Sequence, residues 1–216
     1  MNGYAYARNN PLILFDPTGE KVELVAKPII SGIGNHMFYR VTPDNPGEIN
    51  IQGVPAGAEQ FTFGAYNPDW GSGSGFNNRL QKAIGYEGHN GISTDFGAEG
   101  RASMVIAPPE EQSDSEFINS LGAAYNKIGD NQNYFFGGNA TNRFGYSNSN
   151  NFAYQLGTNV GVKNQLNSFN PQGFEPGFSR GLAPGGQPSI SQSTINYFQS
   201  RINAIKSQIE TLQSKI

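Results

Sequence analysis

Apolar residues recur along the chain in two periods. Alternation of large apolar with small or polar side chains marks short strands at Val22 to Ile30, at Met37 to Thr42 around Phe38 and Val41, and at Gln60 to Tyr66. Arg101 to Ala107 is a continuous apolar run of β type closed by Pro108-Pro109, which predicts a buried strand. Helical spacing takes over after the double proline. Phe117, Leu121, Ala124, Tyr125 and Ile128 fall on one face, and Ser113 with Glu116 three residues on makes a capping box, so a helix is predicted from Ser113 to near Gly129. A second is predicted from Asn151 to near Gly157, with Phe152 and Leu156 at i, i+4, and a short one from Asn77 to Ile84. The most regular stretch comes last. Ile195, Phe198, Ile202, Ile205, Ile209, Leu212 and Ile216 alternate spacings of three and four, an a/d heptad that Ser191 or Ser193 can cap. Isoleucine at both core positions favours trimers or tetramers, yet the flanking Gln199, Arg201, Lys206, Gln208, Gln213 and Lys215 bring almost no complementary charge. The stripe therefore assembles a homo-oligomer through 195–216, packs on its own domain, or begins a longer helix.

The mixture of periods predicts an α+β fold, a small antiparallel sheet packed on helices with long loops and a C-terminal heptad helix. Composition explains the loops. Gly (28), Pro (13), Asn (25) and Ser (18) make 84 of the 216 residues, while charged residues are 14% against a usual share of about 25%. Fifteen Phe, ten Tyr and a net charge of only −3 argue for a packed core rather than disorder. No apolar run approaches the roughly 20 residues of a membrane span, and Met1 to Glu20 lacks the layout of a signal peptide. Absence of Cys excludes disulfides, thiolate metal sites and a cysteine nucleophile. Two His, 14 Lys and Arg, and a pI near 5.4 argue against a nucleic-acid face, and no cofactor is implied.

Two short stretches carry family resemblances. Tyr4-Ala5-Tyr6-Ala7-Arg8-Asn9-Asn10-Pro11 followed by Asp16-Pro17-Thr18-Gly19-Glu20 closely resembles the end of the RHS repeat-associated core, where Y-x-Y-x-x-N-N-P runs into D-P-x-G. The resemblance implies that the residues after Glu20 form the variable effector or tip module of a large bacterial β-cage protein of the polymorphic-toxin kind, secreted or on the cell surface. Its partners would be the upstream cage and, in a toxin, an immunity protein. In some members aspartates near this motif cleave the chain. Asp16 is the residue here that matches, although a turn aspartate capping its own backbone reads the same way.

The second resemblance is to permuted papain-like hydrolases of the NlpC/P60 and LRAT types. Asn148-Ser149-Asn150-Asn151-Phe152 resembles the N-C-N-x-F start of their nucleophile helix, with Ser149 in place of Cys, and the segment from Gly34 through His36 to Asp44 resembles their histidine strand. The histidine strand comes first and the nucleophile helix last, as in the permuted order. What this implies is an amide or ester hydrolase or acyltransferase with Ser149 as nucleophile, His36 as general base, and Asn148 or a backbone N–H polarising the carbonyl. A helix N-terminus would assist the developing charge, although a serine hydroxyl depends far more on its base than a thiol does. The alternative is that Ser149 only N-caps its helix, His36 is a strand residue, and the chain is a non-catalytic adhesion or interaction module on a degenerate papain-like fold. The orienting third residue is open among Gln60, Thr62 and Asn67. His89, with Glu87 and Asp95 near in sequence, lacks metal-ligand spacing and reads as a surface-loop histidine. Gly71 to Gly75 lacks the context of a phosphate loop. The chain thus divides into 1–20, the RHS end; 21–163, the papain-like module; 164–189, a Pro/Gly-rich linker or wrap; and 190–216, the heptad helix.

Overall fold

The computed structural model describes residues 21–30, 33–67, 80–89, 95–100, 102–129, 133–134 and 146–171, with positions 200, 203–208, 210–211 and 213 of the last helix. The RHS-like segment 1–20, the Gly71 to Gly75 loop and residues 172–189 of the linker lie outside the described residues.

The chain runs through β1 (Lys21–Ile30), β2 (Ile33–Thr42), a 3-10 turn (Pro46–Glu48), β3 (Phe61–Tyr66), β4 (Gln81–Tyr86) and β5 (Ala102–Ile106). After these come α1 (Asp114–Lys127), the two-residue strands β6 (Asn133–Tyr134) and β7 (Tyr146–Ser147), α2 (Ser149–Asn159) and α3 (Lys163–Ser168). The five longer strands form one antiparallel sheet in the order β4-β3-β2-β1-β5, so the fold is α+β. β6 and β7 pair in parallel.

Register decides which side chains meet the helices. β1 lies against β2 with Leu24 opposite Tyr39 and Lys27 opposite His36, and opposed residues share a face. Val22, Leu24 and Ala26 thus join Met37, Tyr39 and Val41 on one side, while Glu23, Val25 and Lys27 join His36, Phe38 and Arg40 on the other. The first side is the main core. It continues through Phe61 and Phe63 into Phe117, Ile118, Leu121 and Tyr125 of α1 and Phe152, Ala153 and Leu156 of α2. Tyr125 joins the layers, its ring 4.8 Å from Phe63 and edge-on to Phe152 at 5.8 Å. Such pairs contribute roughly 0.5–1.5 kcal/mol each beyond their buried area. The Tyr39 hydroxyl donates to the Ala153 carbonyl at 3.0 Å, and burial pushes its pKa far above the ordinary tyrosine value. Gly157 makes this approach possible, because a Cβ there would collide with the Tyr39 hydroxyl and lie 2.7 Å from Leu166 Cδ1.

Residues 95–100 cover the far side. Arg40 Nη2 donates to the Ala98 carbonyl at 2.6 Å, and a Cβ on Gly100 would come within 2.5 Å of Val25 Cγ1. Val25 and Phe38 are fully buried as a result.

Several sequence expectations change. The described part of the helix expected over Asn77 to Ile84 is strand: Gln81–Tyr86 pairs with β3 from Tyr66 opposite Gln81 to Phe61 opposite Tyr86. Pairing to an existing edge overrides the weak helical spacing. Arg101 to Ala107 holds an edge strand rather than a buried one, with Val105 61% exposed. α2 starts at Ser149, two residues before the expected Asn151. The expected linker opens with α3, anchored where Gln165 accepts from the Ala107 N–H at 2.9 Å and donates to the Ala107 carbonyl at 2.8 Å. The predicted capping box of α1 forms, with the Glu116 N–H donating to Ser113 Oγ and the Ser113 N–H to the Glu116 carboxylate at 2.8 Å. The described positions of the last helix are helical, and Ile205 is 47% exposed.

Candidate functional site

The first turn of α2 is built from asparagines. Asn148, not Ser149, is the N-cap: its Oδ1 accepts from the N–H groups of Asn150 and Asn151, both at 3.0 Å, and the Asn148 N–H donates to Asn151 Oδ1 at 3.0 Å. This reciprocal pattern is a capping box with asparagine at both ends. Asn148, expected to polarise a carbonyl, commits its amide oxygen to this cap. Asn150 reaches sideways to β2, where its Oδ1 accepts from the Met37 N–H at 2.9 Å and its Nδ2 donates to the Asn35 carbonyl at 3.0 Å. Those two backbone groups flank His36. They lie on the side of β2 where pairing with β3 runs only from Val41 opposite Phe61 to Tyr39 opposite Phe63. The amide side chain therefore completes the ladder in place of a strand. Ser149, 5% exposed, is the first helical residue.

His36 faces the other way. Its Nε2 lies 2.9 Å from Asp95 Oδ2, while Asp95 Oδ1 accepts from the Lys27 ammonium. A carboxylate only accepts, so Nε2 is the donor in this bond. Phe38 lies beside the cluster, its ring centroid 6.0 Å from the His36 ring, 5.7 Å from Lys27 Nζ and 5.9 Å from Arg40 Cζ. Gly64 of β3 makes room, because a Cβ there would collide with Asp95 Oδ2. Burial pushes the Asp95 carboxyl up, but the charges of His36 and Lys27 and their hydrogen bonds outweigh it and hold the group below the ordinary carboxylate range. The side chains of His36 and Lys27 remain 12% and 28% exposed.

Ser149 and His36 are not joined. Among the described residues no hydrogen bond links them, and His36 lies with Lys27 and Phe38 on the face opposite the one on which α2 packs. The three candidates for an orienting residue lie elsewhere: Gln60 donates to Thr42 Oγ1 at 3.3 Å, Thr62 lies opposite Arg40, and Asn67 is buried past the end of β3. The side chain that meets His36 is instead Asp95, 59 residues away in sequence. Hairpin register was the available signal, since Lys27 opposite His36 sets two bases side by side and calls for a buried acid. His89 stacks on Tyr86 at 4.7 Å and bonds the Ile84 carbonyl through Nδ1 at 2.9 Å.

Compared with family models, curated proteins and solved structures, the chain matches none of them. The chemistry of the site therefore has to be argued from its own groups. The buried Asp95 carboxylate fixes the His36 ring through Nε2, and an imidazole held in this way can exchange protons through its other nitrogen. The α2 N-terminus supplies a dipole, but the N–H groups of Asn150 and Asn151 already donate to Asn148. Among the described residues no three of His, Asp and Glu converge to hold a metal ion, and no helix is long and apolar enough to cross a membrane.

Proposed function

We propose that this chain is the C-terminal variable module of an RHS-type secreted or surface protein, on a permuted papain-like plan, acting as an amide or ester hydrolase or acyltransferase. His36 is the general base and Asp95 orients it. Ser149 is the nucleophile that the resemblance assigns; its attack on the carbonyl would require His36, on the other face of the sheet, to reach it and take its proton, which the departing amine or alcohol would then collect. The observation that carries this reading is the buried Asp95 carboxylate on His36 Nε2 at 2.9 Å, which holds the ring from behind and turns Nδ1 away from the carboxylate.

A second reading is favoured by the opposed faces and by the structural roles of Asn148 and Asn150. In it the papain-like plan survives as a scaffold, Ser149 is only the first residue of α2, and the module works by contact. A fluorophosphonate probe separates the two. Labelling that disappears in Ser149→Ala and in His36→Gln supports the hydrolase. Absence of labelling in a folded chain, or equal labelling in Ser149→Ala, establishes the contact module instead.

A further inference from the structure

The geometry points to Lys27 as a positioning residue for His36: acting through Asp95, it lets the carboxylate orient the imidazole without charging it. This rests on the acid–base reading of His36 given above.

A histidine beside a lone buried carboxylate is drawn towards imidazolium, because an opposite charge within about 4–6 Å favours the charged form. An imidazolium has no lone pair with which to accept a proton. In this fold the carboxylate is shared. Asp95 Oδ1 accepts from Lys27 and Oδ2 from His36, and both bases sit directly opposite each other on paired strands. Two cations so placed repel, and one carboxylate balances only one of them. A lysine with an ordinary pKa of about 10.4 keeps its proton in preference to a histidine with one of about 6.5. Lys27 and Asp95 together then present His36 with an acceptor oxygen and almost no net field, which is what a neutral amide would offer.

The remaining charges on that face do not upset the balance. Glu23 of β1 and Arg40 of β2 face each other at 3.6 Å, with Lys21 3.4 Å from the same Glu23 oxygen. Thr62 and Gly64 of β3 and Ser103 of β5 are uncharged, and Glu99 in the covering segment is exposed. Phe38 lies between Lys27 and Arg40 and adds bulk without charge.

The test is an NMR titration of the imidazole C–H signals in the full chain, with His89→Gln to assign the two histidines. Lys27→Gln is expected to raise the His36 midpoint by about one pH unit, and Asp95→Asn to lower it by a similar amount. Lys27→Arg, which keeps the charge, should leave it in place. A Lys27→Gln midpoint that is unchanged or lower overturns the inference, as does a Lys27→Arg midpoint that moves with Lys27→Gln. Should Lys27→Gln fail to fold, the double variant Lys27→Gln with Asp95→Asn removes both charges and should titrate near the wild-type midpoint; a midpoint well away from it is equally fatal. Fluorophosphonate labelling of the same proteins keeps the two claims apart. Its acid limb should track the midpoint where labelling occurs. Absence of labelling with a shifted midpoint removes the hydrolase and leaves the role of Lys27 standing.

Discussion

Replacing Asn150 with alanine removes one side chain and strands two backbone groups. The Met37 N–H and the Asn35 carbonyl meet the Asn150 amide at 2.9 and 3.0 Å, and Asn150 is 1% exposed. Leaving a buried donor or acceptor without its partner costs about 1–3 kcal/mol. Two such groups, with some relief from water entering the vacated space, give an expected loss of about 2–5 kcal/mol. Against a typical domain stability of about 5–15 kcal/mol this is a large fraction. Asn150→Asp keeps the acceptor for Met37 but turns a carboxylate towards the Asn35 carbonyl, so it should be at least as damaging. Asn159→Ala, at the exposed end of the same helix, should change stability by less than about 1 kcal/mol. Urea unfolding followed by far-UV circular dichroism measures all three, and for Asn150→Ala the midpoint should fall with an unchanged m-value. Hydrogen exchange should show the Met37 amide losing protection before its neighbours in β2. A loss below about 0.5 kcal/mol would refute the reasoning, since it would mean that β2 finds another partner. Continued β2–β3 pairing, with Met37 brought opposite Ala65, is the arrangement that would provide one.

Three further outcomes can be measured elsewhere in the chain. Gly64→Ala places a Cβ against Asp95 Oδ2 and 3.5 Å from Phe38 Cβ, so it should cost about 1–3 kcal/mol in thermal unfolding and displace the His36 ring signals; a variant with wild-type stability and spectrum would mean that residues 95–100 give way freely. Asp95 has a folded pKa below its ordinary value, so its contribution to stability is present at neutral pH and is lost as pH falls below about 4 through the folded value. Urea midpoints measured between neutral pH and pH 2 should therefore decline less steeply in Asp95→Asn than in the wild type, and parallel curves would count against the ion pair. For the heptad helix, on which Ile205 is 47% exposed, the full chain should sediment as an oligomer and a truncation at Gly185 as a monomer; equal masses would remove self-assembly.

Long-range pairing explains what the sequence shows and what it hides. The helix at Ser113 is legible because its cap and apolar stripe are local, within three or four residues of one another, and the next by the Phe152 and Leu156 spacing alone, since its cap is Asn148 and not the expected Ser149. β1, β2 and β3 are legible by alternation, although both faces of β1 are buried, as Leu24 and Val25 are equally inaccessible. β4 is missed because Leu80, Ile84 and the residues between them fit a helix as well as an edge strand, and only β3 decides between the two. The run of Ala102 to Ile106 reveals a strand but not its place in the sheet, so Val105 reads as core and lies at the surface. Asp95 has no local signature at all. Its role depends on the absence of a side chain at Gly64 and on Lys27 facing His36 across a hairpin, two facts that emerge only once strand register is known.

That register also separates two jobs that the motifs run together. Around His36 the backbone of β2 answers to α2, through Asn150, while the side chain of His36 answers to Asp95 on the reverse of the sheet. The asparagines on either side of Ser149 thus have structural roles without any reaction, one capping the helix and the other mending the sheet. The same cannot be said of Asp95. A buried carboxylate shared by lysine and histidine carries a desolvation cost that well-packed apolar side chains on that face would avoid, and two such partners are more than residues 95–100 need to be held down when Arg40 already grips Ala98. An expensive arrangement that leaves one imidazole nitrogen available is better explained by what that nitrogen does than by what the pair holds together. The acid–base reading therefore stands on the His36–Asp95–Lys27 cluster rather than on the motif around Ser149 that first suggests it.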